Sequence, residues 1–278
     1  MKQNYKQPLW AMITILVITF LATFSFSLPS FANQVRAELL KATNKKANGT
    51  YVATRFLKAT KQPINPDATK KALIIGDSHA QDFFNSILEN KALQDYQIST
   101  RSIPTRCQVY LGKHLSRYIA AKDKVFCEKS DSLKKAMKQI AEADVIFLVA
   151  NWTEWSASEL PQTIKNMKLS KRQKLFVIGR KSFGKVSVRK YLHLSKDKLL
   201  KIRNKPDAKQ DKISSIMHNT LSKDILIDVQ KLVCGPTDTC PIFTKDLKLI
   251  SFDGGHLTKN GARYIGQLLF KKSALASL

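Results

Sequence analysis

The chain has 278 residues, 44% of them hydrophobic, and carries a net charge of +26 at pH 7 from 47 basic and 21 acidic residues. That length suits one large domain or two small ones, and the apolar content supports a sizeable core. So large a positive balance points to an anionic environment: nucleic acid, a membrane surface or an acidic polymer. The lysines are scattered along the whole length, with neither a zinc finger nor an aromatic RNA-binding signature, which argues against nucleic acid.

Leu9 to Leu28 form an apolar run preceded by Lys2 and Lys6 and closed by Pro29, and Ser30-Phe31-Ala32 then places small residues before Asn33. This is the layout of a secretory signal peptide cleaved after Ala32. An uncleaved membrane anchor is the alternative, since the run is also about long enough to span a bilayer. Under both readings residues 1–32 export the remainder, and the positive charge then faces the membrane or envelope polyanions. Asn33 to Lys71 is polar and lysine-rich, with Pro63 and Pro66, and reads as a linker or loosely packed lead-in (33–71) to a single domain over 72–278.

From Ala72 onward strand-like and helix-like segments alternate. Leu73-Ile74-Ile75 is a buried strand running into Gly76-Asp77-Ser78-His79 and an amphipathic run from Ala80 to Leu88. Further strands are expected at Tyr96 to Ile103, Val145 to Val149, Leu175 to Ile178 and Ile225 to Ile227. Helices are expected at Leu133 to Ala143, Leu160 to Leu169, Ile213 to Leu221 and Gly261 to Leu275. Lys181 to Asp211 is a basic excursion with short helices. Alternation of this kind predicts an α/β fold, a three-layer αβα sandwich around a mostly parallel sheet of about five strands.

The four cysteines, in an exported chain, imply disulfides, and proximity favours Cys107–Cys127 and Cys234–Cys240. A zinc site is the alternative, but no C-x-x-C or flanking histidine accompanies it, and no metal is assigned.

Two stretches carry chemistry. Gly76 permits a sharp turn at the carboxyl end of the first strand, where open α/β sheets place ligands, and Ser78 falls at the first turn of the following helix. Asp77 or Ser78 could equally be a helix cap. Near the other end, Asp253 and His256 lie three apart on the glycine-rich loop Phe252-Asp253-Gly254-Gly255-His256-Leu257-Thr258. That spacing lets the carboxylate hold one imidazole nitrogen while the other faces outward, and a serine from the first turn would complete a nucleophile, base and orienter. Asp77-Ser78-His79 also fits the D-x-H that opens metallophosphoesterases, but the later metal-binding motifs are missing.

Gly76-Asp77-Ser78 with Asp253-x-x-His256 resembles the SGNH (GDSL-like) hydrolase superfamily. The similarity is nearer to the SGNH domain of bacterial membrane O-acyltransferases, in Gly-Asp-Ser-His, in Trp152 after the third strand, in the cysteine pair Cys234 and Cys240, and in His-Leu-Thr-x-x-Gly-Ala at 256–262. The resemblance covers about residues 70–275 and implies that Ser78 is the nucleophile, His256 the general base and Asp253 its orienter. The oxyanion hole would include the Ser78 N–H and the side chain of Asn151, although the usual Gly-x-Asn-Asp is only partly met there. The glycine expected near Ile103 is not evident, and that donor stays unassigned. Asp77, His79 and Trp152 are possible site-lining residues; His79 as a polar residue at a helix start, and Trp152 and Trp155 as core aromatics, are the plainer roles.

The function implied is an extracytoplasmic O-acyl (acetyl) transferase or esterase acting on a cell-envelope glycan or small acyl ester, without a cofactor. As a transferase it would take its acyl group from a separate membrane protein, with the basic surface toward the membrane face. The alternative is a non-catalytic binding module for anionic envelope polymers. The mature chain is expected to begin at Asn33. Amino-terminal sequencing of the exported protein checks this, and an intact Met1 in the membrane fraction establishes the anchor instead.

Overall fold

The computed structural model of the chain describes residues 31–60 and 62–278. The signal or anchor segment lies outside the described residues, apart from Phe31 and Ala32 at the start of the first helix. Among the described residues no helix is long and apolar enough to cross a membrane.

The stretch expected to be a linker is instead two helices, α1 (Phe31–Ala42) and α2 (Lys45–Ala59). Asn44 caps α2 by accepting the Ala47 N–H, and Val52 and Phe56, four apart, turn one face inward. The apolar stripe is narrow and its flanks are polar, so composition alone hides it. Phe56 is wholly buried and meets Phe84 edge-on at 5.9 Å between ring centroids.

The strands β1 (Lys71–Gly76), β2 (Gln97–Ser102), β3 (Val145–Val149), β4 (Lys174–Ile178) and β5 (Leu226–Ile227) form one parallel sheet in the order β2-β1-β3-β4-β5. Its residues alternate between two cores, as the two-residue period of a strand requires. Ile74 and Phe147 face the layer formed by α1, α2, α3 (Ser78–Glu89) and the last long helix, α7 (Lys259–Lys272). Leu73, Ile75, Ile146 and Leu148 face α4 (Leu133–Glu142), α5 (Leu160–Met167) and α6 (Gln210–Thr220). The result is the three-layer α/β sandwich that the alternation predicts. The basic excursion after β4 holds two short helices and a strand, Arg203–Asn204, which pairs antiparallel with Cys240–Pro241. Both expected disulfides, Cys107–Cys127 and Cys234–Cys240, are formed.

The chain leaves β1 for β2 on one side, then returns to place β3 on the other. This makes the carboxyl ends of β1 and β3 the switch point of the sheet, where such folds bind ligands. The register pairs Gly76 with Val149, so the turn bearing Ser78 and the loop bearing Asn151 leave the sheet side by side.

Because α2 belongs to the core, Phe56→Ala is expected to destabilise the protein by about 3–5 kcal/mol, read from the urea unfolding midpoint at constant m-value. A loss below about 1 kcal/mol, the level of a surface change, would show α2 to be dispensable.

Candidate active site

Residue 76 must be glycine, because a Cβ there would lie 1.6 Å from the Val149 carbonyl oxygen. With that close approach, Asp77 turns under the start of α3. Its carboxylate accepts the His79 N–H at 2.9 Å, capping the helix, and the Asn151 N–H at 3.0 Å on each oxygen. Asp77 therefore fills the capping role, and Ser78 is left free for another. Burial pushes the Asp77 carboxyl up from its ordinary range, against the hydrogen bonds that favour its ionised form.

Ser78 stands at the first position of α3, and its backbone N–H has no acceptor among the described residues. Its Oγ lies 2.9 Å from His256 Nε2, across 178 residues of sequence. His256 Nδ1 lies 2.7 Å from Asp253 Oδ2, while Asp253 Oδ1 accepts the N–H groups of Gly255 and His256. The loop can fold this tightly because Gly254, at φ +97°, presses against the Gly184 carbonyl, where a Cβ would come within 1.9 Å. Phe252 stacks on the imidazole at 5.9 Å. The chain thus brings Ser78, His256 and Asp253 into one hydrogen-bonded line at the sheet's switch point.

A family model described as SGNH domain (fused to AT3 domains) matches residues 44–271. The chain belongs to the SGNH family. No curated protein matches it. Among solved structures it is similar to the periplasmic domain of the lipopolysaccharide acetyltransferase of Salmonella ser. Paratyphi A, with a TM-score of 0.54 and 18% identity, over 83% of this chain and 98% of that one. At that identity the likeness speaks for the fold. Family membership supports an acyl-transfer or ester-hydrolysing role.

In this SGNH domain Asn151 stands beside the turn as expected, half-buried. Its side-chain oxygen accepts the Nε–H of Arg180 at 2.8 Å, and a guanidinium can only donate. That bond fixes which end of the amide is which, and the Asn151 NH₂ has no partner among the described residues. Arg180 is itself held by Gln210 and Asp207. Residues 103–108, directly after β2, include no glycine. Gln108 ties that loop to the one after β3, donating to the Thr105 and Asn151 carbonyls and accepting from the Thr153 N–H and the Ser156 hydroxyl.

His79 is buried, with its ring edge-on to His256 at 6.4 Å. Burial, with Lys181 and His256 close by, holds its pKa well below the usual value, so it is neutral. Trp152 is a core residue, buried with its Nε1–H donating to the Ile178 carbonyl at 2.9 Å, and cannot be a sugar platform. Trp155 is half-buried and stacks flat on Tyr118, at 4.7 Å and 2°. It borders a depression of about 470 Å³ together with Thr105, Asn151, Trp152, Arg180 and Lys209, so Trp152 lines the site at its edge while its ring stays in the core. His218, which has no partner pattern in the sequence, meets Asp228 at 2.6 Å.

Sequence reasoning passed over Gln108, Arg180, Asp82 and Lys181. Asp82 had a signal: four residues after Ser78, it shares a helix face with the serine in a run otherwise turned to the core.

Burial alone would raise the Asp253 carboxyl, but hydrogen bonds from the His256 ring and backbone outweigh it and hold the pKa at about 2. The same contact raises His256 above its ordinary 6.5, against its partial burial. A base works only when neutral, so kcat/KM for an acyl ester is expected to rise with pH through an acid limb above 6.5. In Asp253→Asn the limb should move to lower pH as the rate falls, since the neutral amide no longer favours the imidazolium. A pH–rate profile with the limb unmoved would break the assigned pairing.

Proposed function

We propose that the chain is an extracytoplasmic SGNH-type serine acyl-transfer enzyme that moves an acetyl-sized acyl group to or from a hydroxyl of a cell-envelope glycan. The observation that carries this reading is the unbroken contact from Asp253 through His256 to Ser78 Oγ. His256 Nε2 takes the Ser78 proton as Oγ attacks the acyl carbonyl, and Asp253 favours the imidazolium that forms. The developing oxyanion is met by the Ser78 N–H and the Asn151 NH₂, two donors with no partner among the described residues. Collapse expels the donor's alcohol, which takes the proton from His256 and leaves the acyl group on Ser78. An incoming hydroxyl, of water or sugar, then repeats the sequence in reverse.

The depression beside Asn151, bordered by Trp155, Arg180 and Lys209, leaves room for a sugar acceptor. The two disulfides support an oxidising compartment. The acyl donor is a small ester or an acyl group presented by a membrane protein, and the basic surface suits an anionic envelope.

The test is incubation with an activated aryl acetate, with and without envelope glycan, following both release and transfer of acetyl. Ser78→Ala is expected to abolish both at unchanged stability. His256→Ala should be about as damaging, because the residues act as a unit. Asn151→Ala should slow turnover by about a hundredfold or more. A serine-directed fluorophosphonate should label the wild type at Ser78 and fail in His256→Ala. Full activity in Ser78→Ala would remove the serine mechanism, and a wild type that neither releases nor transfers acetyl would leave a polymer-binding module.

A further inference from the structure

Ser78 and His256 come from opposite ends of the domain, so something must set the distance between helix α3 and the histidine loop. Asp253 cannot, because it lies on the same loop as His256, and Phe252 stacks on the ring from that loop as well. A direct connection between the two runs through a buried ion pair. Asp82, one turn after Ser78 on α3, has a side chain with 0% exposure; that of Lys181, just past β4, is 7% exposed. Asp82 Oδ2 and Lys181 Nζ are 2.7 Å apart. Each then reaches the histidine loop: Asp82 Oδ1 accepts the Leu257 N–H at 3.1 Å, and Lys181 Nζ donates to the Gly255 carbonyl at 2.7 Å. The two residues flanking His256 are thereby tied to the helix that carries Ser78.

Stability alone gives a weak reason for such a pair, because desolvating two charges offsets most of their attraction and well-packed apolar residues often do as well. Fixed geometry gives a better one, since a misplacement of about 1 Å between reacting groups can cost about a hundredfold in rate. We propose that the Asp82–Lys181 pair is a positioning clamp that sets the separation and alignment of Ser78 Oγ and His256 Nε2. The proposal rests on the reading that these two side chains act together. Neither clamp residue touches the reacting atoms.

The charged and titratable groups facing His256 are Asp253 on its own loop, Asp82 and His79 on α3, and Lys181 after β4. Asp82 favours the imidazolium and Lys181 opposes it. The experiment compares Asp82→Asn, Lys181→Met and the double variant in the full protein. It measures kcat and KM on an aryl acetate, and titrates His256 by imidazole nitrogen NMR, which needs no turnover. Each single variant is expected to lose about a hundredfold in kcat with KM little changed. The His256 midpoint should fall in Asp82→Asn and rise in Lys181→Met, opposite displacements that a general loosening of the fold would not produce. The double variant leaves no unpaired buried charge and guards against misfolding of the singles. It should fold and stay slow, because the tie to the Gly255 carbonyl is gone. Wild-type kcat in the folded double variant overturns the clamp, as do single variants whose His256 titrates like the wild type. Failure of fluorophosphonate to label wild-type Ser78 would instead sink the serine reading, and the titrations would still decide the clamp.

Discussion

The serine side of the site follows from how closely β1 and β3 approach at their carboxyl ends. The Val149 carbonyl occupies the space that any side chain at residue 76 would need, so the turn there is glycine or nothing. The next residue is then pinned: the buried Asp77 carboxylate bonds one N–H of its own helix and one from the loop after β3. Two strands that are only neighbours in the sheet become a single rigid corner. Ser78 and Asn151 inherit their positions from that corner, which leaves Ser78 at the positive end of α3 with an unused backbone donor.

The histidine side is built differently. Its loop is shaped internally by Asp253, which orients the ring, while Gly254 lets the loop lie against the segment after β4, where its carbonyl accepts the Phe183 N–H. Asp82 and Lys181 take hold of the backbone on both sides of His256 and, on the proposal above, fix its distance from Ser78. The division of labour is physical. A short carboxylate contact within four residues costs little to form locally, whereas joining segments from opposite ends of the domain requires a contact strong enough to survive in the interior, and hydrogen-bonded charge supplies it.

The layers and the parallel sheet were legible because a strand buried on both faces reads as an unbroken apolar run, as Val145 to Val149 does. The serine turn and the Asp253–His256 loop were legible because their chemistry is local in sequence. The helices α1 and α2 were not, since Val52 and Phe56 make only a thin stripe among lysines and asparagines. Gln108, Arg180 and Lys181 were hidden for another reason. Each matters through a partner far along the chain, and a polar residue in a loop looks like any other until the fold supplies that partner.

The charge pattern around the serine completes the picture. Acyl transfer of the proposed kind creates an oxyanion and an imidazolium a few ångströms apart, and the two want opposite surroundings. Two strong cations lie nearby, and neither is a free charge: Lys181 is matched by Asp82 and Arg180 by Asp207. His79, the nearest other titratable ring, is kept neutral by burial and by those same cations. The imidazolium therefore meets chiefly Asp253, the carboxylate that no other cation pairs among the described residues, while the oxyanion meets neutral N–H donors. A chain carrying +26 overall thus pairs the two cations nearest the triad, Lys181 and Arg180.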